Sequence, residues 1–462
     1  MIMFVVLYPT IYTLLQCSDR VKSLLIPKME MDRISSLPND VTEKILSCMP
    51  LRDAVRTSVL SSKWRYKSAM LQDLEFDECV WRRSQDWEFH DDDYQIHTFG
   101  NMIDHVLLVH IVPIRKFKLC CTMDEVATRD IDRWMTHLSR NSIKELTIKL
   151  WVDHEYNIPF SLFSCQGLSH LELLKCLLKP PSTFKGFKSL KSLQLHAVDV
   201  AQDAFDNLVR CSPLLERLTL RYCDGVTNLI IDAPNLQYVH VLGVFNVINL
   251  ENASSITEAE ICMIIHNDEI GVPASWIPAC NSSNLLKIFD HLPHIRRLGI
   301  KWRFLEYLSL GSLPEKLDKP CQYLNALSID ICFDDPDAIP TALCLLRSSP
   351  ALQELEIVMD RREKLERIHS VVEEVKSSCL DVSYNCTLSQ LRLVKITEIS
   401  GVKAELDFIR FLLLSSPLLE RMTITPPRFP ERATVDGFPK LVKELLQFKR
   451  ESKHAEIILL DP

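Results

Sequence analysis

The chain contains little glycine and none of the short motifs that mark a nucleotide-binding loop. Only 10 of its 462 residues are glycine, and neither G-x-G-x-x-G nor G-K-[ST] occurs. Such loops need glycine to bring the backbone close to phosphate groups, so a loop of this kind is not indicated. The nucleophile elbow and the H-E-x-x-H motif are absent as well. These absences predict a protein that is not an enzyme and that needs no cofactor.

The 16 cysteines form no C-x-x-C pair, so the spacings of zinc fingers and zinc ribbons are missing. Their scatter over a long chain indicates reduced thiols rather than the disulfide framework of a small secreted domain. We therefore predict no metal site, and we expect the protein in the nucleus, the cytoplasm or both.

The chain also lacks a strong excess of one charge. It has 53 basic and 61 acidic residues, a formal net charge of -8, and 47% hydrophobic residues. This composition is typical of a soluble chain that forms a core. Because basic residues do not dominate, we expect no nucleic-acid partner.

The first 16 residues, MIMFVVLYPTIYTLLQ, are apolar but shorter than the roughly 20 residues that span a bilayer as a helix. No basic residue precedes them and no small-residue cleavage site follows. We interpret residues 1–31 as an extension without a folded role, such as one added by an upstream start codon, and expect no membrane partner. The alternative is a membrane or targeting segment.

Residues 32–72 predict three short helices. In the first, Val41, Ile45 and Cys48 or Met49 recur at helical spacing, and Pro50 closes the helix. A second helix begins after Leu51, and a third opens at Ser61 or Ser62. Three helices in about forty residues bury little apolar surface alone, so such a module commonly needs a partner.

This module, LPNDVTEKILSCMPLRDAVRTSVLSSKWR, resembles the F-box, which docks a substrate receptor onto the SKP-type adaptor of a cullin–RING ubiquitin ligase. The matching positions are Leu37, Pro38, Asp40, Ile45, Leu46, Pro50, Leu51, Asp53, Val55, Leu60, Ser61, Trp64 and Arg65. By this resemblance, the residues expected near the adaptor are Leu37, Pro38, Ile45, Leu46, Leu51, Val55 and Trp64. The alternative for each of them, especially Val55 and Trp64, is that it only holds the helices together.

Beyond the F-box the chain repeats one pattern, apolar-x-x-apolar-x-apolar. It begins at residues 143, 168, 190, 215, 236, 256, 295, 324, 352, 388 and 419. The early steps of about 20 to 25 residues match the leucine-rich repeat, in which a strand and a helical or irregular arm form one solenoid turn. One turn cannot bury its apolar side alone, but stacked neighbours can.

Two earlier strands, 74–78 and 117–121, and two helices, 101–110 and 129–138, are predicted to belong to the same solenoid. The charged segment 82–97 between them predicts an exposed loop. Residues 379–462, with L-x-x-V-x-I and the helical segment LDFIRFLLLSSPLLERMTI, resemble the FBD module of plant F-box proteins.

The order of these parts resembles the plant F-box/FBD/LRR-repeat family. The resemblance implies an α/β fold: a short all-helical F-box (32–72), a curved leucine-rich-repeat solenoid with a parallel sheet (73–378), and an FBD module (379–462) that continues it. It also implies a non-catalytic substrate-recognition subunit of an SCF-type ubiquitin ligase, which binds a SKP-type adaptor and, through it, cullin and RING subunits.

The outward side of the strands is the predicted target-binding face, because leucines alternate with these positions. The candidates are Arg217, Arg221, Tyr222, Tyr238, His240, Arg297, Lys301 and Trp302. Arginine and aromatic residues are common in recognition hot spots, and we hypothesise an acidic or phosphorylated target. The alternative is a solvated face without a ligand. Two other functions remain open: an F-box scaffold without a role in ubiquitination, and a hydrolase in an irregular solenoid.

Overall fold

A computed structural model describes most of the chain in two compact units, residues 1–71 and 72–462. The described residues are 37–49, 51–57, 64, 67–82, 92–121, 128–151, 155–250, 252–263, 287–302, 304–309, 314–333, 335, 337–360, 386–427, 443–445 and 447–460. The predicted extension, residues 1–31, lies outside them. Among the described residues, no helix has both the length and the apolar character to cross a bilayer.

The first unit contains the predicted helices α1 (Asn39–Ser47) and α2 (Leu51–Arg56), followed by a 3-10 turn at Ser68–Met70. Pro38 precedes α1, and its carbonyl accepts a 2.9 Å hydrogen bond from the hydroxyl of Thr42. The predicted start of a third helix, at Ser61 or Ser62, lies outside the described residues.

The second unit is built on one parallel sheet of fourteen strands. In sheet order they are β1 (Asp73–Asp77), β2 (Lys116–Cys121), β3 (Glu145–Leu150), β5 (His170–Leu174), β7 (Ser192–His196), β8 (Arg217–Arg221), β10 (Tyr238–Gly243), β12 (Glu258–Met263), β13 (Arg297–Trp302), β14 (Ala326–Cys332), β15 (Glu354–Asp360), β16 (Leu393–Thr397), β17 (Arg421–Ile424) and β18 (Glu456–Leu459). Two small sheets pair β4 (Tyr156–Asn157) with β6 (Cys176–Leu177) and β9 (Asn228–Ile230) with β11 (Val247–Asn249). The predicted parallel solenoid sheet, with the C-terminal strands continuing it, is confirmed.

The repeated apolar pattern forms the core of this sheet. Leu193, Leu218 and Val239 lie side by side on β7, β8 and β10, and each is at most 1% exposed. The first apolar residue of each repeat is buried just before its strand, as Leu215 is before β8. Burying one such side chain stabilises the fold by roughly 1.5–3 kcal/mol, but only because the next repeat covers it. The stacking therefore follows from the pattern.

Backbone hydrogen bonds fix the register where each strand begins. The N–H groups of Glu216 and Arg217 both donate to the carbonyl of Lys191, at 2.8 and 2.9 Å. One repeat later, Gln237 and Tyr238 donate to the carbonyl of Glu216 in the same way. The same positions of successive repeats therefore lie in line across the sheet.

Helices connect some of the strands. They are α3 (Glu78–Arg82), α4 (Asp92–Val109), α5 (Thr128–Ser139), α6 (Gln202–Arg210), α7 (Phe304–Ser309), α8 (Ala338–Arg347) and α9 (Lys403–Ser415). Helix α5 confirms the helix predicted over 129–138. The loop predicted over 82–97 is wrong from Asp92 onward, because α4 begins there.

One repeat is out of phase with the sequence prediction. The copy placed at residue 388 predicts Leu391 and Leu393 as the core positions of the strand, but Leu393 is 39% exposed. The buried positions are instead Leu391, just before the strand, and Val394 and Ile396 within it, all at most 2% exposed. An extra leucine three residues upstream satisfies the same local pattern, so only strand pairing decides between the two phases.

Candidate functional site

The predicted adaptor-binding residues divide between the surface and the interior of the first unit. Pro38 and Ile45 are exposed, Leu37, Leu51 and Val55 are half-buried, and Leu46 and Trp64 are 0% and 4% exposed. Leu46 and Trp64 therefore present almost no surface to a partner. The part of each residue in adaptor binding stays a prediction.

Helix α1 turns its apolar stripe to solvent. Val41 and Ile45 are one helical turn apart and are 38% and 40% exposed, while Thr42 and Leu46 form the buried side. Val41 was not among the predicted adaptor contacts, although its spacing from Ile45 is visible in the sequence. Exposed apolar side chains that lie together on one helix are a common feature of protein-binding surfaces.

On the second unit, the outward side of four neighbouring strands carries the predicted target-binding residues. The parallel register places Arg217 on β8, Tyr238 on β10 and Arg297 on β13 in one row across the sheet. The guanidinium of Arg217 lies 4.0 Å from the centre of the Tyr238 ring. This cation–π contact holds both side chains in place at the edge of the face.

Further along the same strands the face becomes less exposed. Arg221, His240 and Lys301 are half-buried here, whereas Arg217 and Arg297 are exposed. The predicted residues thus form two rows. The row at the start of the strands contains the two exposed arginines and the half-buried Tyr238, and the row further along is half-buried throughout.

Two of the predicted residues stand apart from these rows. Tyr222 follows β8 with a backbone φ of 53° and is 53% exposed. Trp302 ends β13, and its side chain is outside the described part of the structure.

Ion pairs cross the half-buried row from strand to strand. Lys149 Nζ lies 2.7 Å from Glu172 Oε1, and Lys301 Nζ lies 3.1 Å from Asp330 Oδ1. Each of these four side chains is at most 31% exposed. Partial burial strengthens such pairs relative to fully solvated ones, since less water screens them.

His240 and Glu260 form a third contact of this kind. His240 Nδ1 lies 3.2 Å from Glu260 Oε2, and this hydrogen bond lowers the pKa of Glu260. Neither Glu260 nor its neighbour Cys262 was predicted as a site residue. Both lie at outward positions of β12, directly beside β10, so the strand alternation alone could have found them.

The donor atoms of His240, Glu260 and Cys262 lie within 4.8 Å of one another. Imidazole, carboxylate and thiolate are the ligand types of a zinc site. However, burial raises the pKa of Cys262 to about 12, so its sulfur is a protonated thiol near neutral pH. The carboxylates of Glu260 and Asp330 raise this pKa as well, whereas the cations Lys301 and Arg221 lower it, so the thiol is surrounded by charges of both signs. The arrangement is better described as a hydrogen-bonded pair beside a buried thiol.

These features define a leucine-rich-repeat protein with a small helical module at its N-terminal side. The chain matches the F-box domain family over residues 34–74 and the At1g61320/AtMIF1 LRR domain family over residues 109–445. It belongs to the plant F-box/FBD/LRR-repeat family. Proteins of this kind are adaptors rather than enzymes, and an F-box domain in general implies interaction with SKP-type adaptors.

Similar proteins span almost the full chain. F-box/FBD/LRR-repeat protein At1g13570 of Arabidopsis thaliana is 38% identical over 435 residues, which cover 93% of this chain and 98% of that protein. Putative FBD-associated F-box protein At5g50270 of the same plant is 24% identical over 437 residues, which cover 86% and 97%. Among solved structures, an internalin from Listeria monocytogenes aligns with a TM-score of 0.32 and 13% identity, over 80% of this chain and 95% of the internalin.

Proposed function

We propose that this chain is the substrate-recognition subunit of an SCF-type ubiquitin ligase. The observation that supports the proposal most directly is the exposed pair Val41 and Ile45 on α1, within the segment that matches the F-box. A small helical unit that leaves apolar side chains in water gains stability when a partner covers them. In this proposal the SKP-type adaptor covers that stripe and connects the chain to cullin and RING subunits.

The leucine-rich-repeat sheet is proposed to hold the target protein. Its outward side combines a stack of the exposed Arg217 on the half-buried Tyr238 with a half-buried row of charged groups. Arginine and tyrosine contribute strongly to protein interfaces because they pair large contact area with polar ends. The chain itself is proposed to be non-catalytic, and ubiquitin transfer belongs to the RING and E2 proteins. We propose that it acts in the nucleus, the cytoplasm or both.

Adaptor binding is tested by co-purifying the full chain with a SKP-type adaptor. The variant Val41→Asp/Ile45→Asp places two charges on the proposed interface, and we expect it to lose the adaptor. Glu43→Gln changes an exposed residue of the same helix away from that stripe, and we expect it to keep the adaptor. Equal capture by the double variant and by Glu43→Gln would contradict the proposed docking surface.

A second measurement separates a ligase subunit from an F-box scaffold without a role in ubiquitination. Proteins captured by the full chain are identified, and their lifetimes are compared in cells with the wild type or the Val41→Asp/Ile45→Asp variant. A ligase subunit predicts longer lifetimes with the variant. Unchanged lifetimes, together with intact capture, would favour the scaffold.

A further inference from the structure

Three buried nitrogen atoms lie close together on the outward side of the solenoid sheet without a hydrogen-bond partner among the described residues. They are Nε2 of His196, Nε of Arg221 and Nε2 of His240. Their residues lie on β7, β8 and β10, which are consecutive strands of the sheet. Buried polar nitrogens are nearly always hydrogen-bonded in folded proteins, so three at one place point to a ligand.

The strand register brings these residues to one place on the face. His196 is directly beside Arg221 in the pairing of β7 with β8. On the next strand Arg221 pairs with Leu242, and His240 precedes Leu242 by two positions on the same side. Since adjacent strands are about 4.8 Å apart, the three side chains fall within about 10 Å of one another. Burial lowers the pKa of His196, Glu172 raises it and Arg221 lowers it, which agrees with the closeness of Arg221 to the ring.

The neighbouring carboxylates already have partners. Glu172 pairs with Lys149, Glu260 with His240 through the other ring nitrogen, and Asp330 with Lys301. Among the described residues, no ion pair is formed by Arg221, although its side chain is half-buried. The guanidinium lies near enough to Glu260 to lower the pKa of that carboxylate, but its Nε has no hydrogen-bond partner among the described residues.

We propose that His196, Arg221 and His240 form a binding site for a phosphate group. A phosphate presents several oxygen acceptors in a tetrahedral arrangement, which suits donors that approach from three strands. A guanidinium is the preferred protein group for phosphate because it is always charged and donates from several N–H groups. The Arg217–Tyr238 stack, in which the arginine is exposed, lies at the start of two of these strands, where it can contact the molecule that carries the phosphate.

This inference rests on the proposed function. The phosphate belongs to a phosphorylated side chain of the target protein that the solenoid binds. The site therefore specifies the class of target that the ligase subunit recognises. A free phosphate compound offers the same chemistry to the three nitrogens, so the experiment compares the two sources.

The first measurement is equilibrium dialysis of the purified full chain with radiolabelled inorganic phosphate. We expect one phosphate bound per wild-type chain, and an affinity at least about tenfold weaker for Arg221→Gln, because a hydrogen-bonded charge pair is lost. Arg421→Gln is the matched control, since Arg421 is an exposed arginine on β17 of the same sheet, and its affinity should equal that of the wild type. Thermal melting of each variant shows whether it is folded.

His196→Gln provides a second test that keeps the guanidinium in place. It should also weaken phosphate binding, whereas a general attraction of phosphate to positive charge would leave its affinity unchanged. The proposal is overturned if the wild type binds no phosphate at about 1 mM, a weak-binding limit. It is also overturned if the folded Arg221→Gln and His196→Gln variants bind as well as the wild type.

The source of the phosphate is determined with peptides. A pool with a fixed phosphoserine between random residues is compared with the same pool containing serine, using immobilised full chain. Preferential retention of the phosphoserine pool, lost in Arg221→Gln, supports a phosphorylated target. Phosphate binding without peptide retention supports a free phosphate compound at the same site. Adaptor capture by Arg221→Gln should stay intact, so a failure of the ligase proposal is seen separately, in the Val41→Asp/Ile45→Asp experiment.

Discussion

The start of helix α9 depends on one buried carboxylate, and replacing it tests how the C-terminal module is held together. Glu405 is 2% exposed and reaches back to the residues before the helix. Its carboxylate accepts hydrogen bonds from the N–H groups of Ser400 (3.0 Å), Gly401 (2.7 Å) and Val402 (3.3 Å), and from the Ser400 hydroxyl at 2.8 Å. Gly401 has a φ of +84°, which a glycine adopts at little cost.

The expected effect of Glu405→Ala follows from these four hydrogen bonds. Loss of a helix cap alone costs about 1 kcal/mol, and each buried donor left without its partner costs about 1–3 kcal/mol. Some of these N–H groups regain water in the space left by the carboxylate, and the variant no longer bears the cost of burying the charge. We therefore expect a loss of about 2–4 kcal/mol in the free energy of unfolding.

Urea unfolding of the full chain, followed by circular dichroism, measures this change. Glu420→Ala is the matched control, because Glu420 directly precedes the strand β17, is 54% exposed and pairs with Arg392 at 2.5 Å. Exposed pairs contribute about 0–1 kcal/mol, so this variant should unfold close to the wild type. If both variants lose the same free energy of unfolding, the hydrogen bonds of the Glu405 carboxylate do not stabilise the start of α9 as expected.

The same residue gives a pH dependence with a defined sign. Burial raises the pKa of Glu405, so the folded chain holds this proton to higher pH than the unfolded chain, where a glutamate titrates near about 4.3. The contribution of this group to stability is therefore complete below the unfolded pKa and decreases as pH rises through the folded pKa. Glu405→Gln, which does not titrate, should lack this decrease. A decrease of the same size in Glu405→Gln would assign it to other groups.

Three further predictions concern a buried leucine, a glycine with positive φ and an exposed ion pair of the solenoid, with Leu214→Ala and Gly167→Ala as controls for the first two. Leu218→Ala removes a side chain that is 0% exposed and should cost about 2–5 kcal/mol, whereas Leu214→Ala, at a site 46% exposed, should cost under about 1 kcal/mol; similar urea midpoints would contradict the assigned core phase. Gly186→Ala should destabilise the fold by about 2 kcal/mol or more, because φ is +78° there and an added Cβ would overlap the carbonyl of Cys211. Gly167→Ala, where an added Cβ meets its nearest atoms at 3.6 Å, should melt near the wild type, and a comparable loss at both glycines would refute the strain argument. Arg392→Ala removes an exposed ion pair and should change the free energy of unfolding by no more than about 1 kcal/mol, so a larger loss would show that this pair does more than the structure indicates.

Local pattern was enough to predict most strands of the sheet, because each repeat carries its own apolar positions. Leu168, Leu190 and Leu215 each lie two residues before a strand of the sheet, in the position that the pattern predicts. At Leu388 the same pattern failed, since a chance leucine offered a second phase three residues away from the one that pairs. Such ambiguity is expected wherever several leucines lie close together in a sequence.

The polar face was predicted less completely. Arg217, Tyr238 and Arg297 were placed on the outward side from alternation alone, and the structure puts them in one row. His196, Glu260 and Cys262 were missed, although strand alternation places them on the outward side, because a single strand does not show which polar residues lie beside it on the neighbouring strands. The solvent-facing side of α1 was likewise undecided, since Val41 and Leu46 are equally apolar and helical spacing alone does not say which one faces the core.

From the sequence by itself, the F-box was identified by its resemblance to a known motif, and the stacked leucine-rich repeats were indicated by apolar spacing within each repeat. Only the tertiary structure decided which polar groups meet, since His196, Arg221 and His240 are about twenty residues apart in the chain and become neighbours through strand pairing alone. Hydrophobic burial acts on every repeat in the same way, whereas a polar site depends on the register between repeats.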